Sequence, residues 1–205
     1  FVVERQNFGR LAVDLGGRIE RQEIDVDASA RDYADTAFTV ATGLLWSFDE
    51  ALTGAGQLTR SARHPQAAEL YADGPHLAVG RYEIGDDGLD VETATTLDLG
   101  LRREGPLHWH LSLFYSDFSD YIYAAATGEE SDGFPVYRYR QADARFYGLE
   151  AELEFPLWES GDAAVHARVG GDWVRGRLDA GGNLPQIPPL RLLAALEYDR
   201  GPLHA

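Results

Sequence analysis

The stretch "FYGLEAELEFPL", residues 146–157, sets Tyr147, Leu149, Ala151, Leu153, Phe155 and Leu157 against Gly148, Glu150, Glu152 and Glu154. Period two belongs to a strand with one apolar and one polar face. On a helix the three glutamates would scatter around the axis. The same alternation runs through "HWHLSLFYSDF" (108–118), where Trp109, Leu111, Leu113 and Tyr115 oppose His108, His110, Ser112 and Ser116. It recurs in "LAVDLGGRIE" through Leu11, Val13, Leu15 and Ile19, and in "AFTVATGLLWSF" through Phe38, Val40, Leu44, Trp46 and Phe48. Further copies lie at 93–101, 165–173 and 190–198, and no segment carries a convincing helical stripe.

The connections add a second constraint. Tight polar turns are predicted at "FDEA" (48–51), "REGP" (103–106), "WESGDA" (158–163) and "DRGP" (199–202). Between them fall long connections at roughly 22–35, 62–91, 124–135 and 178–189. Short and long thus alternate, which in an up-and-down sheet gathers all short turns at one end and all long loops at the other. Outer-membrane barrels have this asymmetry. A β-sandwich or a lipocalin-like barrel also gives alternating strands. Against those stand strands of about ten residues or more, as a tilted bilayer span requires. Aromatic residues near strand ends, namely Trp46, Phe48, Trp109, Tyr121, Tyr123, Trp158 and Tyr198, suit an interfacial girdle. The expected fold is all-β: an antiparallel up-and-down transmembrane β-barrel fragment, about eight strands of a larger barrel of about 22.

Composition narrows the function. The 205 residues carry a net charge of −16, which disfavours nucleic acid because phosphate neutralisation needs basic patches, and suits cations better. With no Cys, a disulfide framework and a thiolate zinc site are excluded. No run approaches the roughly 20 apolar residues of a membrane helix. "FVVERQNFGRLAVDLGG" has no signal-peptide pattern, and "EYDRGPLHA" breaks off at the start of a further strand, so a fragment of something longer is expected. No nucleophile elbow of the Gly-x-Ser-x-Gly type occurs, and Gly181 to Asn183 lacks the context of a phosphate cradle, so no catalytic residue is assigned and an enzyme is not expected.

The runs "SARHPQAAELYADGPHLAVGRYEIGDDGLDVETATTLDLGLR" (61–102), "FYSDFSDYIY" (114–123) and "FPVYRYRQADARFYGLEAELEF" (134–155) resemble the barrel region of TonB-dependent outer-membrane receptors. Arg-x-Pro, Glu-Leu, Gly-Pro-His and Tyr-Glu-Ile-Gly look most like the zinc- and haem-associated branch. The resemblance implies a longer parent with a signal sequence, a TonB box and a plug, residues 1–205 being a partial C-terminal barrel domain. It implies residence in outer-membrane lipid and energy from the TonB-ExbB-ExbD complex. The implied activity is uptake of a scarce nutrient, zinc first and haem second, with zinc as cargo and no tightly bound cofactor. A receptor for a ferric siderophore or other organic ligand is the alternative, and a non-transporting binding or adhesion module is the second.

Within the loop at 62–91, His64 and His76 lie among Asp73 and Glu83, an N/O ligand set that a borderline cation such as Zn²⁺ accepts. Glu69, Asp86 and Asp87 complete the candidate substrate loop. Acidic loop residues are also simply solvated in many proteins, and His64 precedes Pro65 in a turn. Gly74-Pro75 presets a turn that would hold the His76 imidazole outward, and the resemblance puts that position on the substrate side. Arg63 and Glu69 read as a buried pair or turn anchor. His108 and His110, at i and i+2, could chelate a metal, but stand near a short turn as a lumen-facing pair. Glu150, Glu152 and Glu154 face the lumen with them, where water or a plug tolerates three like charges better than lipid does. Tyr137, Tyr139 and Tyr147 read as stacking partners for haem or a siderophore, or as an aromatic rim.

Overall fold

A computed structural model describes residues 1–26, 30–200 and 203–204. The wall is one antiparallel path: β1 (Val2–Phe8), β2 (Leu11–Ile24), β3 (Tyr33–Ser47), β4 (Leu52–Arg63), β7 (Glu92–Arg103), β8 (His108–Ser131), β9 (Phe134–Ser160), β10 (Ala163–Leu178), β11 (Arg191–Arg200) and β12 (Leu203–His204). Between β4 and β7 the chain forms α1 (Ala67–Tyr71), β5 (Asp73–His76) and β6 (Arg81–Ile84). Among the described residues no helix is long and apolar enough to cross a membrane, so any crossing is made by strands.

Register turns the alternation into a surface. One row runs Leu11, Trp46, Gly54, Leu101, Leu111, Ala151, Gly171, Leu192 across eight strands. The next carries Leu44, Leu99, Leu113 and Leu149, and the one above it Leu15, Leu58, Leu97 and Tyr115. Most of these side chains are exposed, although burial would normally favour them. An apolar face of this breadth on an antiparallel wall is a lipid face. Trp46, Phe48, Trp158 and Tyr198 are exposed at its short-turn end, where an interfacial girdle belongs. The opposite face is polar: Arg5 forks onto Asp14 at 2.6 and 2.7 Å, in register across β1 and β2.

Several boundaries differ from the sequence expectation. The wall has ten strands rather than about eight, because β1 and β12 add to the path. The predicted long connection at 124–135 is two strands: β8 and β9 run 24 and 27 residues and meet at Asp132-Gly133. Both turn residues have positive φ, 53° and 79°, the conformation of a two-residue type I′ hairpin for which Asp-Gly is suited. At about 3.4 Å per residue β8 extends roughly 80 Å, well beyond the ~25 Å apolar band of a membrane barrel. The connection at 62–91 is long but folded. Of the connection at 22–35, residues 25–26 and 30–32 lie outside strands, and 27–29 are outside the described residues, as are Gly201 and Pro202 of the "DRGP" turn.

Tyr121 and Tyr123 do not join a girdle. A register shift between Phe118 and Tyr121, with Asp120 at φ 58°, re-phases β8. Tyr121 then packs at 5.1 Å on Phe118 and 5.2 Å on Phe146, and stacks on Tyr123 at 6.4 Å. Gly148 answers a related need, because a Cβ there would stand 2.5 Å from the Phe114 ring lying across it.

The face assignment gives a direct test. Leu113→Arg places a guanidinium in the middle of the lipid face and should cost about 2–4 kcal/mol, whereas Ser112→Arg on the opposite face should cost under about 1 kcal/mol. Reversible urea unfolding of the full-length protein in lipid vesicles measures both; equal losses would overturn the assignment.

Candidate functional site

The buried core lies beneath the 64–91 insertion, not within the wall. Tyr33, Leu70, Leu89 and Ile122 are buried together, with Ile24, Tyr71 and Tyr139 packed around them. Arg63 ties the insertion to the wall: Nη1 donates to Glu69 Oε2 at 2.8 Å, while Nε and Nη2 fork onto Glu92 at 3.3 and 3.1 Å. The Ile122 amide donates to the same Glu92 carboxylate at 2.8 Å. Glu69 also accepts from the Gln66 amide at 2.8 Å at the start of α1. The expected Arg63–Glu69 pair is therefore present, and Glu92 is its third member. Gly85 passes so near α1 that a Cβ would fall 2.5 Å from the Leu70 backbone, which excludes larger residues there.

The β5–β6 hairpin projects a second polar cluster. Glu83 Oε1 accepts from Arg81 Nε at 2.7 Å, and Oε2 lies 3.3 Å from both His76 Nδ1 and the Tyr139 hydroxyl. Arg81 sits over the Tyr137 ring at 5.0 Å. β6 pairs in parallel with β9 through Tyr82↔Val136 to Ile84↔Arg138, which holds the hairpin against those tyrosines. Burial pulls the Glu83 carboxyl upward, but hydrogen bonds and charge from Arg81 and His76 outweigh it and hold the group below its ordinary value. The Tyr82 hydroxyl donates to Asp73 at 2.9 Å, and that bond raises the phenol.

The structure divides the candidate metal residues. His76 and Glu83 are brought together. Asp73 is paired with Tyr82 instead, and His64 is buried elsewhere, its Nδ1 2.8 Å from the Tyr33 hydroxyl and its Nε2 3.4 Å from the Glu20 carbonyl. Among the described residues no three of His, Asp and Glu are grouped as a metal site would need. Asp86 and Asp87 accept backbone amides, from Gly88 at 2.9 Å and Arg31 at 3.0 Å, as turn anchors. Tyr33 and Glu92 had no local sequence signal, since their partners His64 and Arg63 lie 31 and 29 residues away, whereas Arg81 pairs with Glu83 two residues on and reaches the distant Tyr137.

His108, His110, Glu150, Glu152 and Glu154 share the polar face, with His108 opposite Glu154 and His110 opposite Glu152. His108 Nδ1 contacts Glu104 at 2.9 Å and His110 Nε2 lies 3.5 Å from Glu150, so the two imidazoles are engaged by separate carboxylates. Tyr147 lies on the lipid face against Trp173 at 5.6 Å, as a rim residue would. Higher on β9, Arg138 and Arg140 are exposed, in register with Ala125 and Tyr123.

A ten-strand wall with a lipid face and a folded insertion at its long-connection end matches, over residues 1–204, the family described as TonB dependent receptor-like, beta-barrel. The chain belongs to that family. The iron-regulated outer membrane virulence protein of Vibrio cholerae serotype O1 is 30% identical over 126 residues, 57% of this chain and 19% of that protein. The copper transporter OprC superposes with a TM-score of 0.75 at 23% identity, covering 94% of this chain and 31% of that one. The FrpB iron transporter of Neisseria meningitidis (F3-3 variant) gives 0.68 at 17% identity, covering 96% and 29%. The alcaligin receptor FauA of Bordetella pertussis gives 0.57 at 19%, covering 98% and 33%. These likenesses show the fold, and this receptor barrel segment resides in the outer membrane. It spans 19% of the length of the curated relative, and none of these names singles out a zinc or haem branch.

Two outcomes follow. Arg63→Met leaves Glu92 without its cation; the buried-pair cost of about 3–5 kcal/mol, discounted because Arg63 is partly exposed, becomes about 2 kcal/mol. Hydrogen exchange of the full-length receptor should show faster exchange at 66–90 with the wall unchanged. Because the Glu83 carboxyl is lowered on folding, its contribution is complete above the ordinary value of 4.5 and is lost as pH falls through the folded value. Protection of 73–84 should fall with pH across that window, and Glu83→Gln should flatten the dependence.

Proposed function

We propose that this chain is part of the barrel of a TonB-dependent receptor that carries a scarce metal nutrient into the cell as a chelate, drawing energy from the TonB complex. It acts as a transporter and not as an enzyme. The observation that carries the reading is the mouth above the wall: Arg81 lies over Tyr137 with Tyr139 beside it, and Arg138 and Arg140 are exposed on the other face of the same strand. Guanidinium groups and phenol faces suit an anionic, partly aromatic metal complex better than a bare ion. Among the described residues neither Arg138 nor Arg140 has a carboxylate partner, so both guanidinium groups remain available for an anion.

Free zinc is the second reading, and it rests on His76. That side chain is 51% exposed and 3.3 Å from Glu83, so the pair could start an N/O site. Binding there would compete with Arg81, which already holds Glu83 at 2.7 Å. Haem remains a variant of the chelate reading.

The full-length receptor in detergent separates these readings. Arg138→Ser/Arg140→Ser should weaken binding of a ferric chelate about tenfold or more, roughly 1.4 kcal/mol, while His76→Ala changes it less than about twofold. If zinc titration instead shows micromolar binding that His76→Ala weakens tenfold, zinc takes first place.

A further inference from the structure

The inner edge of the wall's top ends on a carboxylate. β7 begins at Glu92, in register with Arg63 of β4, and its first rung with β8 is Thr93↔Ser119. Above that rung β8 continues to Ser131 with no strand on this edge among the described residues. The Ile122 amide therefore has no rung to join, and the Glu92 side chain stands in for one, accepting it at 2.8 Å. The same carboxylate holds Arg63, with Nε on Oε1 at 3.3 Å and Nη2 on Oε2 at 3.1 Å. Arg63 Nη1 then reaches Glu69 at 2.8 Å. Only 7% of Glu92 is exposed, so its donors have little water to fall back on.

Two units thus hang from one side chain. The insertion is held through Arg63 and Glu69, and the upper part of the β8–β9 hairpin through Ile122. A second clasp, Gln141, ties the hairpin to the foot of the insertion. Its Nε2 donates to the carbonyls of Asp90 and Asp120 at 2.7 and 3.0 Å, and its Oε1 accepts the Asp90 amide at 2.8 Å. Gln141 stands on the hairpin itself, whereas Glu92 stands on the wall. Both bracket the bulge between Phe118 and Tyr121, where the ladder is interrupted and side chains take up backbone groups. Higher up, Arg81 lies 5.0 Å over Tyr137, and Glu83 is 3.3 Å from the Tyr139 hydroxyl. Each pair has one member on the insertion and one on the hairpin, so its alignment depends on where the wall holds the two units.

We propose that Glu92 is the positioning residue of the mouth: its carboxylate fixes the insertion through Arg63 and the hairpin through the Ile122 amide, and so sets Arg81 against Tyr137 and Glu83 against Tyr139. The two holds differ in chemistry. Arg63 needs the charge of Glu92, whereas Ile122 needs only an acceptor oxygen. The role is independent of the cargo, because it concerns how the mouth is assembled.

Hydrogen exchange of the full-length receptor in nanodiscs tests this, followed separately over 66–90, 121–143 and the wall segment 93–103. Glu92→Ala should speed exchange in both upper segments by about tenfold, the scale of a buried donor left without its acceptor. Glu92→Gln keeps an oxygen for the Ile122 amide but sets its amide nitrogen against Arg63. It should speed 66–90 alone and leave 121–143 at the wild-type rate, and Arg63→Met should match it. An unchanged hairpin in Glu92→Ala would overturn the hold on Ile122. A hairpin as fast in Glu92→Gln as in Glu92→Ala, or faster exchange throughout 93–103 in either variant, would make Glu92 a general stabiliser of the sheet and overturn the positioning role.

Discussion

Within a bilayer no water is available for an unpaired peptide group, so each strand must give its N–H and C=O groups to a neighbour. That demand fixes most of what is seen here. It produces an unbroken antiparallel path from β1 to β12, and it leaves the side chains free to differ by face. Leucines then lie in rows on the outside while Asp14, Asp98, Glu150 and Glu152 lie on the other side, with no need for a packed interior. Arg5 and Asp14 can therefore pair in the open, where they contribute little to stability but sit naturally on a hydrated wall.

Above the apolar rows the constraint lapses, and other forces take over. β7 leaves β8 at Ser119 and β10 leaves β9 at Ala144, so the tall hairpin must find partners elsewhere. It finds them in the insertion, through β6 and through the small core at Tyr33, Leu70, Leu89 and Ile122. Arg63 adds a polar tie to that core by joining Glu69 of the insertion to Glu92 of the wall at one point.

These two regimes explain what was legible in the sequence. Period-two patterning exposed the strands because the lipid face demands it, and the rhythm of turns exposed the topology. Above the membrane the pattern no longer reports an environment: "AAATGEESDGFP" looks like a loop, yet Asp132-Gly133 closes it as a hairpin. Here the turn dipeptide was the usable signal. The metal set is divided in space. His64, His76, Asp73 and Glu83 are close in sequence, but Pro65, α1 and the β5–β6 hairpin send His64 to Tyr33 and turn Asp73 toward Tyr82. Proximity along a loop gave composition without geometry. Arg63 with Glu69 was readable because a short Arg-x-Pro turn fixes their spacing; Glu92, 29 residues from Arg63, was not.

The polar groups of this segment thus sort by what surrounds them. On the inner wall several charges pair with one another, as Arg5 does with Asp14 and Arg168 with Glu197. At the mouth, Glu83 is consumed by Arg81 and Tyr139, while Arg138 and Arg140 keep their charge. On the outer face, Arg60 bonds only the hydroxyls of Thr95 and Thr93, and Arg177 has no carboxylate partner among the described residues. A chain of net charge −16 nonetheless leaves four arginines without a carboxylate partner among the described residues. The acidic excess lies on the polar face of the wall, at Asp14, Asp98, Glu150, Glu152 and Glu154, and in the insertion, at Asp73, Asp86 and Asp87.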